Sequence, residues 1–203
     1  DAIYVSAAGA ATGLSGNLQN GVITGLGMPA SLAYTSDEGT SLLVRLGAGD
    51  DAFRIQDLAA PVAARIHAGP GADRLTVAGD DDRLDGISGI VAFFGEDGDD
   101  TLDVYGDGPA DQPGLLTAIG LTGLEMGGNS LFSVHDEFGA ELNVSCAIDG
   151  TCPGAIYFAQ RTGFENDYTS TVETVNLFLG DNDDTLRVDS LDGFGTRRVF
   201  GGD

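Results

Sequence analysis

Residues 46–55 read LGAGDDAFRI and residues 179–188 read LGDNDDTLRV, so one pattern of glycine, acid and strand residues returns after 133 positions. The match continues at the same offset, because Arg65-Ile66 corresponds to Arg198-Val199. A chain with one copy and part of a second copy of an open pattern is typical of an extended repeat protein rather than a closed catalytic unit. Function is therefore to be sought in what the repeat builds and binds.

A shorter period lies inside the long one. The glycine-acid turn at residues 47–51 recurs 22 residues later at 69–73, and again 27 residues after that at 96–100. The second copy repeats the 22-residue spacing, from Gly180 to Gly202. Six turns of 22 residues make 132, which is close to 133, so we expect the long period to hold a whole number of turns.

Short strands flank these turns. Residues 41–46 and 101–104 alternate between apolar and polar side chains, and no helical period is found along the chain. Strand, turn, strand, loop and return describe one coil of a parallel β-solenoid of the β-helix or β-roll kind, in which like residues stack on like about 4.8 Å apart. We therefore predict an all-β fold, a parallel β-solenoid with coils of about 22 residues.

The regular pattern covers only part of the chain. We divide the sequence into a β-rich lead-in at 1–40, Gly-Asp-rich solenoid coils at 41–104, an irregular β segment at 105–171, and the start of a second, truncated repeat at 172–203. The irregular segment interrupts the solenoid because it has no clear glycine-acid turn. The cut pattern at the end of the sequence leads us to expect a longer parent protein.

Composition restricts the classes of partner. The chain has 32 acidic residues against 9 basic ones, a net charge of −23, and its 25 Asp residues outnumber its 7 Glu. A surface without a basic footprint cannot displace the counterions of a nucleic acid, so that partner is excluded. The longest weakly polar stretch, residues 115–124, is far too short to span a membrane.

The two cysteines indicate where the protein functions. Cys146 and Cys152 are six positions apart, with a glycine between them and Pro153 directly after. We predict that they form a disulfide that closes a surface loop, with two free thiols as the alternative. A disulfide favours an extracellular or cell-surface location.

Stacked acidic turns need a counter-charge. In a solenoid their carboxylates would form a ladder of like charges only a few ångströms apart, where repulsion is strong. Ca²⁺ suits such a ladder because it takes six to eight oxygen ligands, including backbone carbonyls that glycine turns can present. The predicted ligands are Asp50, Asp51, Asp73, Asp97, Asp99, Asp100, Asp181, Asp183 and Asp184. The alternative is a set of solvated turns in an acidic protein.

The turns also resemble a known family. Residues 46–53, 68–75 and 95–102 are similar to the hemolysin-type calcium-binding repeat, Gly-Gly-x-Gly-x-Asp-x-apolar-x, and residues 179–186 are a weaker match. The resemblance implies that Asp51, Asp73, Asp100 and Asp184 are calcium ligands. More loosely, residues 21–104 resemble the Gly-Asp-rich repeats of large secreted bacterial surface proteins.

These observations favour a structural protein. We expect a calcium-stabilised structural or adhesive segment of a large repetitive extracellular protein, with neighbouring repeats of the same or an identical chain as its partners. One alternative is a self-assembling filament or surface-layer subunit, a homopolymer joined through open sheet edges. The less favoured alternative is a carbohydrate-active β-helix enzyme, since no catalytic set accompanies His67 or His135.

The arginines at repeated positions have a structural interpretation. Arg54, Arg74 and Arg187 each follow or flank an acidic turn. We expect them to pair with neighbouring carboxylates along the stack, and such pairs contribute little when they are exposed.

Overall fold

The fold is known from a computed structural model that describes residues 2–35, 40–79, 81–108, 113–127, 134–135, 141–142, 154–161, 168–181, 183–188 and 195–202. Within these residues every regular element is a strand, so the all-β prediction is confirmed. None of them forms a helix with the length and apolar character that a membrane span requires. The predicted Cys146–Cys152 disulfide lies outside the described residues.

The strands form two mixed sheets of eight strands each and two short hairpins. In chain order the strands are β1 (Ala2–Ser6), β2 (Ser15–Gln19), β3 (Val22–Gly25), β4 (Leu32–Ala33), β5 (Ser41–Arg45), β6 (Ala52–Ile55), β7 (Ala63–His67), β8 (Arg74–Val77), β9 (Ile90–Phe94), β10 (Thr101–Gly106), β11 (Pro113–Leu116), β12 (Gly120–Gly123), β13 (Val134–His135), β14 (Glu141–Leu142), β15 (Ala155–Tyr157), β16 (Gln160–Arg161), β17 (Tyr168–Thr169), β18 (Thr174–Leu179), β19 (Thr185–Val188) and β20 (Thr196–Phe200). The first sheet has the order β1-β5-β7-β9-β15-β12-β11-β19, and the second has the order β20-β18-β10-β8-β6-β2-β3-β4.

From β5 to β10 the chain alternates between the two sheets and advances by one strand in each at every pass. Phe53 of β6 lies opposite Leu75 of β8, and Leu75 lies opposite Leu102 of β10. These steps are the 22 and 27 residues that separate the turns in the sequence. Alternation buries every second side chain, as in β5 and β6, where apolar residues point into one core shared by both sheets.

The 133-residue period does not hold a whole number of coils. The strands β5, β6 and β7 correspond at this offset to β18, β19 and β20, with the same parallel pairing of the first and third strands. However, β5 belongs to the first sheet and β18 to the second. The chain therefore crosses between the sheets an odd number of times within one period, and the integral count expected from the sequence is wrong.

Two segments join the main sheets more closely than the sequence division suggests. In the lead-in, β1 pairs in parallel with β5, and β2 pairs in parallel with β6. In the segment at 105–171, β11, β12 and β15 all pair within the first sheet. The acidic turns between β5 and β6, β7 and β8, and β9 and β10 consequently lie in the middle of one continuous set of strands.

Candidate functional site

The three central turns stack backbone against backbone, and this contact requires glycine. Gly71 has a φ of 146°, and a Cβ placed on it would lie 2.6 Å from the carbonyl oxygen of Gly49. Gly98 has a φ of 144°, and its Cβ would overlap the carbonyl of Gly71. No other residue fits such a close approach at this backbone conformation. The glycines of the motif thus set the distance between successive turns.

Each turn ends in an acid that occupies the same position in the stack. Asp51, Asp73 and Asp100 immediately precede β6, β8 and β10, whose first residues are paired in register. Glu173 takes the next position, because Thr174 of β18 lies opposite Thr101 of β10. We call Asp51, Asp73, Asp100 and Glu173 the carboxylate column.

Hydrogen bonds connect the carboxylate column along the stack. Asp73 Oδ1 accepts the backbone N–H of Asp51 at 2.6 Å, and Asp100 Oδ1 accepts that of Asp73 at 2.9 Å. Glu173 Oε2 accepts the N–H of Asp100 at 2.7 Å. At the other end, Asp51 Oδ1 accepts the N–H of Leu14 at 2.6 Å. Each acid therefore joins two neighbouring turns, which is a structural reason for an acid at this position.

Two oxygens of the carboxylate column are left without a partner. Asp73 and Asp100 are 1% and 0% exposed, and the second carboxylate oxygen of each, Oδ2, makes no hydrogen bond. Asp51 differs, because its Oδ2 accepts the N–H of Gly47 at 2.6 Å. A buried ionised oxygen without a partner is costly and normally gains a proton or a cation.

Burial raises the pKa of both unpartnered acids. Desolvation raises the pKa of Asp100 to about 7, and the charges of Asp73, Glu173 and Asp99 raise it further, although the hydrogen bond from the Asp73 N–H lowers it. Desolvation likewise raises the pKa of Asp73 to about 6, with a contribution from the charge of Asp51. The middle of the column therefore takes up protons near neutral pH unless another positive charge is present.

The predicted calcium ligands fall into three groups. Asp51, Asp73 and Asp100 are buried in the column, as described above. Their neighbours in the turns are exposed, namely Asp50, Asp97 and Asp99. The last group precedes β19, where the chain crosses from the second sheet to the first, and so lies on a different turn: Asp181, Asp183 and Asp184.

These side chains do not form a complete ligand cluster by themselves. Among the described residues, no group of three or more His, Cys, Asp or Glu side chains is close enough to hold a metal ion. What the column offers is two buried carboxylate oxygens on successive turns, flanked by glycine backbone. This donor type is the one that Ca²⁺ prefers, and backbone carbonyls and water would have to supply the remaining ligands.

Sequence reasoning missed Glu173. It belongs to no glycine-acid turn, and it reaches the column only because β18 pairs with β10 across 73 residues. The signal available in the sequence is its position: Glu173 directly precedes the strand that begins the second copy. Its counterpart at the 133-residue offset, Thr40, is also buried and also directly precedes a strand.

A second buried acid was also missed. Asp103 is 1% exposed in the middle of β10, where it accepts hydrogen bonds from Arg74 Nε and from Asn176 Nδ2, the latter at 2.8 Å. Arg74 therefore pairs with a carboxylate, as predicted, and Arg54 pairs at 3.4 Å with the exposed Asp82. Asp103 stands between Leu102 and Val104, so the alternation indicated only an outward polar residue.

His67 contributes to packing rather than to the column. It is 6% exposed at the end of β7, its Nδ1 lies 2.8 Å from Oε1 of Glu96, and its ring lies 4.8 Å from that of Phe94. His135 lies in β13, for which only the backbone is described. Comparison with family models, with curated proteins and with solved structures finds no match to this chain.

Proposed function

We propose that this chain is a calcium-stabilised β-solenoid segment that gives length and stiffness to a repetitive extracellular or cell-surface protein. The observation that carries the proposal is the pair of buried, unpartnered oxygens, Asp73 Oδ2 and Asp100 Oδ2. Nothing in the hydrogen bonding of the column requires both oxygens of each acid, so their retention as acids is best explained by a cation.

The solenoid part of the proposal is supported by the course of the chain. Between β5 and β10 each pass through the first sheet is followed by a pass through the second, always in the same parallel register. Both sheets contribute to one apolar core, in which Val44, Ile66, Phe53 and Leu75 are at most 1% exposed. A stack of this kind grows by adding coils and has no need of a unique active site.

Calcium would act on the column through charge. With Asp73 and Asp100 ionised, the column carries uncompensated negative charge in a buried position, and a bound Ca²⁺ would remove that cost. At the affinities of ~0.1–1 mM that are usual for extracellular modules, millimolar calcium would add on the order of 1–2 kcal/mol for each site. Folding would then be favoured outside the cell, where calcium is plentiful.

Calorimetric titration with Ca²⁺ and with Mg²⁺ at pH 8 tests the proposal. The chain should bind Ca²⁺ in preference to Mg²⁺, and the double substitution Asp73→Asn with Asp100→Asn should abolish the binding. A matched control replaces the exposed Asp81 and Asp85, which pair with Arg83, by Asn and removes the same charge away from the column. Equal binding by both double variants would refute the role of the column.

The filament alternative has one structural observation in its favour. The strands β1, β19 and β20 lie at the outer edges of the two main sheets. Their exposed apolar residues include Tyr4 at 59%, Val188 at 47% and Val199 at 45%. Light scattering of the purified chain with and without calcium separates a monomeric segment from a polymer, because only the polymer grows with protein concentration.

A further inference from the structure

The chain contains two equivalent units that are larger than the repeat seen in the sequence. The first unit consists of β1, β2, β3, β5, β6 and β7, and the second consists of β10, β11, β12, β18, β19 and β20. In each unit the first, fourth and sixth strands are neighbours and parallel. The second strand pairs antiparallel with the third and parallel with the fifth in both.

Local backbone geometry confirms the equivalence. Residues 23–28 read ITGLGM and residues 121–126 read LTGLEM. The three residues that start at Gly25 have φ angles of 79°, 52° and 69°, and the three that start at Gly123 have φ angles of 85°, 49° and 66°. A positive φ at leucine is uncommon, and both units have one at the same place. The unit therefore repeats after 98 residues here and after 133 beyond residue 172, with the extra residues inserted between.

In the first unit, the edge formed by β6 and β7 is covered by β8 and β9. As a result Ile55 and Ile66 are both 0% exposed, since Val77 lies beside Ile55 and Phe93 lies beside Ile66. In the second unit, β19 and β20 are at the ends of their sheets. The equivalent residues there are Val188, 47% exposed, and Val199, 45% exposed. The same apolar positions are thus buried in one unit and open in the other.

An aromatic position shows the same difference. His67 of β7 lies opposite Phe94 of β9, and their rings are 4.8 Å apart. The equivalent of His67 is Phe200, which is 43% exposed. Phe200 stacks at 4.8 Å on Phe178, which stacks at 4.4 Å on Tyr105. The aromatic stack runs along the sheet to its edge and ends in a ring with one open face.

We propose that the edge formed by β19 and β20 binds a pair of strands of the β8–β9 type, supplied by a further unit of the same kind. The inference rests on the solenoid architecture of the proposed function and names the partner of that architecture. The incoming pair adds in parallel, places apolar side chains beside Val188 and Val199, and places an aromatic ring against Phe200. The contact within the first unit, where β8 and β9 lie on β6 and β7, is the pattern for this interface.

Hydrogen exchange distinguishes this docking from general stabilisation. Thr196 of β20 donates its amide to the carbonyl of Glu173, on the side that is already covered. Amides alternate between the two sides of a parallel strand, so those of Arg197, Val199 and Gly201 face the open side. An added strand should slow exchange at these three amides and leave the intervening ones close to their original rates.

The test joins residues 70–99 of the chain, in register, after Gly202, which is the equivalent of Gly69. We expect exchange at Arg197, Val199 and Gly201 to slow at least tenfold. A control fusion carries Val77→Asp and Phe93→Asp in the appended copy alone and should leave the three rates unchanged.

Equal rates in the two fusions, or protection that does not follow the alternate pattern, would overturn the inference. The measurement is made both in calcium and in chelator. Protection of the three amides in a chain that binds no calcium would uphold the docking surface while the calcium proposal failed, so the two can be judged separately.

Discussion

Replacing Asp100 by Asn should stabilise the chain at pH 8 in the absence of calcium. The side chain is fully buried, its Oδ1 accepts the N–H of Asp73, and its Oδ2 has no partner. Asn keeps one oxygen for the Asp73 N–H and is neutral at every pH. The substitution therefore removes the buried charge without removing the hydrogen bond that joins the turns.

The size of the effect follows from the pKa of Asp100. Burial raises it from 3.8 to about 7, so the folded state holds the proton more tightly than the unfolded state does. Stability is accordingly full below pH 4, falls as the pH rises towards 7, and stays low above that. Three pKa units at about 1.4 kcal/mol each give an upper limit of roughly 4 kcal/mol. An unpaired amide N–H of the new Asn costs about 1–3 kcal/mol, which leaves a net gain of about 1–3 kcal/mol.

Urea unfolding at pH 5 and at pH 8 in excess chelator measures this effect. The wild-type chain should lose free energy of unfolding between the two pH values, and Asp100→Asn should lose much less. The matched control is Asp99→Asn, which removes the same charge from the exposed neighbouring residue. It is needed because a chain of net charge −23 also repels itself more strongly as the pH rises. The reasoning is refuted if Asp100→Asn keeps the wild-type pH dependence, or if Asp99→Asn flattens it equally.

Three further predictions concern the scaffold, and each is read from urea unfolding at pH 7. Gly98→Ala should destabilise the chain by more than about 3 kcal/mol because its Cβ overlaps Gly71, whereas Gly201→Ala, which has open space around it, should change little. Arg74→Ala should cost about 3–5 kcal/mol because it leaves the buried Asp103 without its ion pair, and Arg54→Ala, whose partner Asp82 is exposed, should cost clearly less; equal losses would contradict the difference in burial. Leu26→Ala and Leu124→Ala should each cost about 2–5 kcal/mol, since both leucines occupy the core at equivalent positions, and a large loss at only one of them would argue against equivalent units.

Sequence patterns were sufficient for the elements and their spacing. Alternation at residues 101–104 predicted the strand β10, and the 22- and 27-residue steps between turns anticipated the register that places Asp51, Asp73 and Asp100 in one column. Both signals are local, because side-chain period and turn chemistry are properties of a few neighbouring residues. Glycine and the terminal acid of each turn could be identified for the same reason.

Long-range features could not be predicted in this way. Glu173 enters the column through pairing between strands 73 residues apart, and nothing in its own neighbourhood resembles a turn. The exchange of sheets between β5 and β18 depends on how many times the intervening chain crosses, which the insertion after Met126 obscures. The equivalence of Gly25 and Gly123 was hidden because the offset changes from 98 to 133 residues across that insertion.

The dependence of stability on calcium tests the central claim most directly. The measurement is the melting temperature of the intact chain at pH 8, in millimolar Ca²⁺ and in excess chelator, with Mg²⁺ at the same concentration as the reference. Since Asp73 and Asp100 are ionised at this pH and buried without partners, we predict that Ca²⁺ raises the melting temperature by several degrees and that Mg²⁺ does so far less. Identical melting in all three solutions would contradict the claim that a cation completes the carboxylate column.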